Sequence, residues 1–209
     1  MEIEYLYFHF NDFKEVIIIL TGMPLGVSLV IAVILTALHN IRTKKNMARN
    51  GILLIFYLHI LVVISITLFP IPVQSSLLLS LKRGSIETNM NLVPFKSIID
   101  IMQNSVSPFV AVKQIAGNIL MCAPFGFYAP LLFQHIQSFI RIIISGILFG
   151  LCIELSQLII GAGIGFFYRS LDVDDIILNT IGVTLGYAFL TLLKRFDIKN
   201  SLYQKVFKS

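Results

Sequence analysis

The chain alternates between long apolar runs and short polar stretches. Runs of about 20 apolar residues match a hydrocarbon core about 30 Å thick, and five are present, at 16–38, 51–73, 115–133, 142–163 and 176–193. Each must be helical, because lipid offers no hydrogen-bonding partner to backbone N–H and C=O groups and the alternating period of a barrel strand is absent. The pattern predicts an all-α fold, a polytopic transmembrane helical bundle of about five spans.

Composition supports a membrane protein. Hydrophobic residues make up 56% of the 209 positions, charged residues make up 13%, and the mean hydropathy is +0.87, which exceeds what a soluble domain needs to fill its core. The first run is expected to be a retained span. It follows Glu2, Glu4, Asp12 and Glu15, where a secretory signal would carry Lys or Arg.

Lys and Arg residues predict the orientation. They concentrate in the first loop, at the start of the fourth span and after the fifth span, at Arg42, Lys44, Lys45, Arg49, Arg141, Lys194, Arg195, Lys199, Lys205 and Lys208. The positive-inside rule places these stretches in the cytoplasm. We therefore expect a multi-pass protein of the plasma membrane, with its N-terminus outside and its C-terminus cytoplasmic.

The net charge of +5 is then explained by the basic cytoplasmic segments and by their contact with anionic membrane lipid. Nucleic acid is not an expected partner, because the basic residues are not interleaved with aromatic ones on a polar face. The chain divides into an N-terminal span with a basic loop (1–50), a membrane domain (51–193) and a basic tail (194–209).

The longest predicted extramembrane stretch, 74–114, is only partly polar. Phe95, Ile98, Ile99 and Met102 recur at the spacing of one helical face, which predicts a short amphipathic helix on the outer surface after Pro94. A re-entrant hairpin is the alternative, and its backbone would have to be buried among the other helices.

The least random feature of the sequence is a charged cluster between the last two spans. Arg169, Asp172, Asp174 and Asp175 lie within seven residues, and the preceding span carries Glu154 in its interior. Central carboxylates cost about 2.5–3.5 kcal/mol on insertion scales, so Glu154 is a functional candidate. Arg169 is its nearest cationic partner in sequence, with Lys96 and Lys113 as rivals.

Three further polar residues are predicted to lie at similar depth in the outer half of the bilayer. At about 1.5 Å per residue, Asn118, Gln157 and Asn179 converge with Glu154. Glu154 and Gln157 are three residues apart and share a helix face. Taken singly, the three amides are better explained as hydrogen bonds between helices.

Helix capping explains part of the charged cluster without any ligand. Asp172 and Asp175 have the spacing of a capping box with Asp172 as N-cap, and Asp174 and Asp175 suit the positive end of the helix dipole. Arg169 and Asp174 are the members that capping explains least. Two GxxxG patterns, at Gly146/Gly150 and Gly182/Gly186, predict close packing of the fourth span on the fifth or the third.

No metal site and no cofactor are expected. The two cysteines, Cys122 and Cys152, fall inside spans without CxxC spacing, and the four histidines are scattered over different segments.

Four blocks occur in a characteristic order: Asn91-Leu-Val-Pro-Phe, Gly117-Asn-Ile-Leu-Met-Cys-Ala-Pro-Phe-Gly, Glu154-Leu-Ser-Gln and Arg169-Ser-Leu-Asp-Val-Asp-Asp-Ile-Ile-Leu-Asn-Thr-Ile-Gly. Together they resemble the VanZ-like family of bacterial membrane proteins over about 55–193. The resemblance adds Asn91 to the candidate site. The chain departs from the family pattern at Cys122 or Ala123, where Phe or Leu would be usual.

The resemblance implies a bacterial cell-envelope protein associated with resistance to glycopeptide antibiotics such as teicoplanin, without a defined reaction. The favoured hypothesis is binding of a lipid-linked cell-wall precursor or a lipoglycopeptide at the outer leaflet. An intramembrane enzyme acting on a lipid phosphate or lipid-linked sugar is the second hypothesis, with Glu154 as general base. A proton-coupled transporter or flippase is the third, for which a homo-oligomer could supply the second half. Whether the protein is an enzyme stays open.

Overall fold

A computed structural model describes residues 25–43, 47–69, 71, 90–165, 167 and 169–196. The described residues form six α-helices and one 3-10 turn (Gln134–Ile136). The helices are α1 (Leu25–Thr43), α2 (Met47–Leu68), α3 (Lys96–Asn104), α4 (Pro108–Leu132), α5 (Phe139–Ile164) and α6 (Val173–Phe196). No strand occurs in these ranges, which confirms the predicted all-α fold.

Four of the five predicted spans are confirmed as helices long and apolar enough to cross a membrane. They are α2, α4, α5 and residues Val173–Arg195 of α6. The first predicted span overlaps α1, whose apolar stretch is the shorter Gly26–His39; residues 16–24 lie outside the described ranges. Helix α6 extends three residues beyond the predicted span at each end, because its first turn is polar and therefore falls outside a purely apolar run.

Small residues let α6 lie close against two neighbours. An ideal Cβ at Gly186 would be 1.8 Å from the Ala123 carbonyl oxygen, and one at Gly126 would be 1.8 Å from the Val183 carbonyl oxygen. The backbones of α4 and α6 therefore touch, as GxxxG packing allows. A Cβ at Gly146 or Gly150 of α5 would lie 3.2 Å from the Cα of Thr180 or Ile176 of α6, which is a tight contact; this confirms packing of the fourth span on the fifth.

Helix α2 packs on α4 near one end of the bundle. Leu53 and Phe56 of α2 form a buried cluster with Ala129 and Leu132 of α4. Arg49 adds a hydrogen bond from its guanidinium to the Leu132 carbonyl at 2.8 Å. The apolar contact and the charge-assisted bond together fix α2 to the C-terminal part of α4.

The bundle has two chemically different ends. One end, called here the basic end, gathers the start of α2, the 3-10 turn and the start of α5, and it carries Arg49 and Arg141. The opposite end, called here the acidic end, gathers the end of α2, the helix α3, the start of α4, the end of α5 and the start of α6. All five acidic side chains of the described ranges lie there, at Asp100, Glu154, Asp172, Asp174 and Asp175.

The predicted amphipathic helix is present as α3. It begins at Lys96, after Pro94 as predicted, and Phe95, which has a left-handed backbone with φ 67°, serves as the N-cap. The apolar side chains of Ile99 and Met102 stay exposed to the surroundings of the protein, at 48% and 67%. Helix α3 packs against α4 and α6, so it closes the acidic end of the bundle.

Candidate functional site

The charged cluster begins α6, and Asp172 is its N-cap as predicted. The Asp172 carboxylate accepts the backbone N–H of Asp174 at 2.8 Å, which satisfies one of the free donors of the first helical turn. A complete capping box would have Asp175 accept the Asp172 N–H. Glu154 of α5 accepts it instead, at 3.0 Å, so the buried carboxylate completes the cap from a neighbouring helix.

Asn91 joins the loop before α3 to the loop before α6. Its backbone N–H donates to the Leu171 carbonyl at 2.9 Å, and its carbonyl accepts the Val173 N–H at 3.0 Å, which makes an isolated parallel β-bridge with Asp172. The Asn91 amide also donates to the Asp172 carboxylate at 2.8 Å and to the Ser97 hydroxyl at 2.9 Å. Two sequence blocks that are about 80 residues apart are thus one structural unit.

Asp174 caps a helix, but not its own. Its carboxylate accepts the backbone N–H groups of Phe95 at 2.5 Å and of Ile98 at 3.2 Å, which are the N-cap and N3 donors of α3. Phe95 has no side-chain capping bond of its own. The Asp174 side chain is only 1% exposed, so its carboxylate depends on protein groups rather than on water. These N–H donors and the positive end of the α3 dipole stabilise it.

Asn118 links α4 to α6. Its amide donates to the Asp175 carboxylate at 2.6 Å, a contact that the sequence did not predict. Asn118, Asp174 and Asp175 also border a small cavity of about 20 Å³ beneath α3. A space of this size accommodates one water molecule.

The remaining predicted site residues have separate environments. Gln157 donates to the Thr67 carbonyl of α2 at 3.0 Å, which is the hydrogen bond between helices expected for a buried amide. Asn179 is 2% exposed, and its side-chain oxygen has no partner among the described residues. Arg169 is exposed and donates to the Phe69 carbonyl at 3.4 Å.

Arg169 lies close enough to Glu154 and Asp175 to interact with them electrostatically. Its hydrogen bond nevertheless goes to the end of α2, while the bond to Glu154 comes from the Asp172 backbone. Arg169 and Glu154, which were predicted to pair, are therefore close in space but do not form a direct ion pair.

The structure brings the polar residues to one end of the bundle without arranging them around one open cavity. Most carboxylate oxygens accept bonds from backbone N–H groups or amides of the protein. Within the described ranges, no group of three or more His, Cys, Asp or Glu side chains is placed to hold a metal ion. The site is called here the hydrogen-bonded platform, and Arg169 is exposed at its surface. Its members are joined by the bonds described above: Asn91, Asn118, Glu154, Asp172, Asp174 and Asp175.

An open groove that the sequence did not predict lies next to this platform. A groove of about 440 Å³ lies between the end of α2 and the first half of α4, and it is lined by Ile66, Val110, Lys113, Gln114, Gly117, Asn118 and Met121. Lys113, Gly117 and Met121 recur at four-residue intervals, the spacing of one helix face. This repeat was the only signal in the sequence that pointed to the groove.

A known protein family matches the part of the chain that contains this site. The VanZ/LLP1 family model matches residues 54–194, which covers more than half of the 209 residues. The chain belongs to the VanZ/LLP1 family. The match confirms the resemblance that the four sequence blocks indicated. No curated protein and no solved structure gives a significant match.

The VanZ/LLP1 match includes every residue of the hydrogen-bonded platform. Glu154, Asn118 and the loops around Asn91 and Asp172 all lie between residues 54 and 194. Helix α1, by contrast, lies outside the matched range.

Proposed function

We propose that this VanZ-family membrane protein binds a lipid-linked or lipidated ligand at the outer leaflet of a bacterial plasma membrane, and thereby lowers the effect of teicoplanin-type glycopeptides. The observation that carries the proposal is the exposed Arg169, held beside four carboxylates that each accept at least one hydrogen bond from the protein. A guanidinium has five N–H donors, and Arg169 uses one in a long bond of 3.4 Å. The other donors suit an anionic phosphate or carboxylate.

The hydrogen bonds divide the platform into two kinds of residue. Asp172 and Asp174 cap helices, and Glu154 completes the Asp172 cap. Their work is to hold the loops before α3 and α6 in one geometry. Arg169 lies at the surface of that geometry, so it is the residue assigned to ligand contact.

The test is the susceptibility of a bacterium to teicoplanin with and without the expressed protein. Wild-type protein is expected to raise the minimum inhibitory concentration, and Arg169→Ala is expected to abolish the increase. Arg169→Lys is expected to restore only part of it, because an ammonium cannot bind an anion in bidentate fashion. Asp175→Ala is expected to abolish the increase too, since it removes the hydrogen bond from Asn118 of α4 to the first turn of α6.

Arg141→Ala is the matched control. Arg141 is also exposed, but it lies at the basic end and donates to the His135 carbonyl, so this variant is expected to protect as wild type does. Membrane levels of all variants are compared by immunoblot. Full protection by Arg169→Ala, or no protection by wild type, would overturn the proposal.

A further inference from the structure

The groove between α2 and α4 exists because α2 changes neighbours along its length. At the basic end, Leu53 and Phe56 pack on α4. At the acidic end, the Thr67 carbonyl accepts a hydrogen bond from Gln157 of α5. Helix α2 therefore leans away from α4 toward α5, and a groove of about 440 Å³ opens between them. This volume lies within the range of about 300–1,000 Å³ that is usual for ligand pockets.

Gly117 keeps the floor of this groove open. A Cβ at Gly117 would have no atom within 4 Å, whereas a Cβ at Gly126 of the same helix would collide with α6. Helix packing therefore requires Gly126 but not Gly117. A glycine in a helix interior is less favourable than alanine, and at Gly117 the benefit is space beside the helix.

The groove has a charged end and an apolar end. Lys113 lies five residues into α4, about 8 Å from its start, and Met121 lies eight residues deeper, about 12 Å further along the axis at 1.5 Å per residue. Val110 and Ile66 add apolar surface near the charged end. Lys113 is exposed, and no carboxylate of the described residues forms an ion pair with it. A long lysine side chain at this depth extends its ammonium toward the membrane surface.

We propose that this groove binds a membrane lipid with an anionic phosphate head group, with the phosphate at Lys113 and an acyl or prenyl chain along Gly117 and Met121. The arrangement of charge and apolar surface matches that of such a lipid placed parallel to α4. Both walls belong to helices that are long and apolar enough to cross a membrane, so lipid is the surrounding material. The inference goes beyond the proposed function, because it assigns the phosphate of a membrane lipid to Lys113 in the groove, whereas the proposed function assigns an anion to Arg169.

The chain contains no tryptophan, so one introduced tryptophan reports on lipid at a chosen position. Val110→Trp places the indole at the rim of the groove. Val112→Trp is the matched control, because Val112 is two residues further on the same helix and 64% exposed, but does not line the groove. The full-length variants are reconstituted in phosphatidylcholine with a small fraction of phosphatidylglycerol that is brominated on its acyl chains, and quenching of fluorescence is measured.

Brominated phosphatidylglycerol is expected to quench Val110→Trp more than Val112→Trp. The same fraction of brominated phosphatidylcholine is expected to quench both equally. Adding Lys113→Gln or Gly117→Leu should remove the excess quenching at position 110, and adding Lys113→Arg should preserve it. Helix content by circular dichroism checks that Gly117→Leu folds, and Lys113→Gln tests the same point without adding bulk.

The proposal would be overturned by equal quenching at the two positions, by excess quenching that does not depend on the anionic head group, or by excess quenching that survives both Lys113→Gln and Gly117→Leu. Absence of quenching at position 110 with either lipid would also overturn it, since another part of the chain would then cover the groove. Loss of teicoplanin protection in Arg169→Ala alongside any of these results would leave the proposed function standing and reject the groove alone.

Discussion

The buried carboxylate of Glu154 accepts the backbone N–H of Asp172 at 3.0 Å, 18 residues further along the chain. The bond occupies the position that Asp175 would take in an ordinary capping box. Asp175 is thereby free to accept the Asn118 amide of α4 at 2.6 Å. Because Glu154 takes the place of Asp175 in the cap and Asp175 bonds to Asn118 instead, the start of α6 is linked to both α5 and α4.

Removal of the Glu154 carboxylate should destabilise the bundle. Glu154→Ala leaves the Asp172 N–H without its acceptor, at a cost of about 1–3 kcal/mol. Glu154→Gln keeps an acceptor oxygen and should lose much less. Unfolding in detergent, followed by circular dichroism, measures the difference. Ser156→Ala is the control, because the Ser156 hydroxyl bonds back to the Cys152 carbonyl of its own helix; equal losses in Glu154→Ala and Ser156→Ala would contradict the assignment.

Asp174 should determine whether α3 forms. Asp174→Ala removes the acceptor for the Phe95 and Ile98 N–H groups, so hydrogen exchange in residues 95–104 should accelerate and stability should fall by about 1–3 kcal/mol. Asp100→Ala changes an exposed carboxylate within α3 itself. That variant is expected to exchange as wild type does, and similar acceleration in both would argue against capping by Asp174.

Helix packing predicts opposite effects of alanine at two glycines. Gly186→Ala puts a Cβ against the Ala123 carbonyl and should cost roughly 1–3 kcal/mol or more through forced separation of α4 and α6. Gly117→Ala meets no neighbour and should stabilise the helix by up to about 1 kcal/mol. Midpoints of thermal unfolding report both effects. A destabilised Gly117→Ala protein would show that the groove is filled by the chain.

The bond between Asn118 and Asp175 should be measurable as a coupling energy. Single and double alanine variants at these positions form a cycle, and hydrogen bonds between helices in membranes contribute about 0.6–2 kcal/mol. Unfolding free energies of the four proteins give the coupling. Additive effects of the two substitutions would mean that the contact at 2.6 Å contributes nothing.

The predicted orientation places the acidic end outside the cell. In a protein with Cys122→Ala and Cys152→Ser, Asp100→Cys should react with a membrane-impermeant maleimide in intact cells. His135→Cys, which is exposed at the basic end, should react only after permeabilisation. The reverse pattern of labelling would invert the topology that the Lys and Arg residues predict.

The sequence by itself determined the features that depend on neighbours along the chain. Apolar runs located the helices, and the i, i+3 spacing placed Glu154 and Gln157 on one face, where both are buried. Asp172 was predicted as an N-cap from its spacing to Asp175, and the N–H group that it accepts, that of Asp174, is only two residues away. Local periodicity and capping act within one or two turns, so they can be read directly from residue order.

Only the tertiary structure decided the partners of the charged residues. Asp174 caps α3, whose first residues lie 79 positions earlier in the chain, and Glu154 and Gln157 share a face yet bond to different segments. The groove beside Gly117 likewise depends on the lean of α2 toward α5. Residue spacing indicated which helix faces can approach closely, but it did not specify which distant side chains bond to one another, since these bonds follow from the order in which the helices pack.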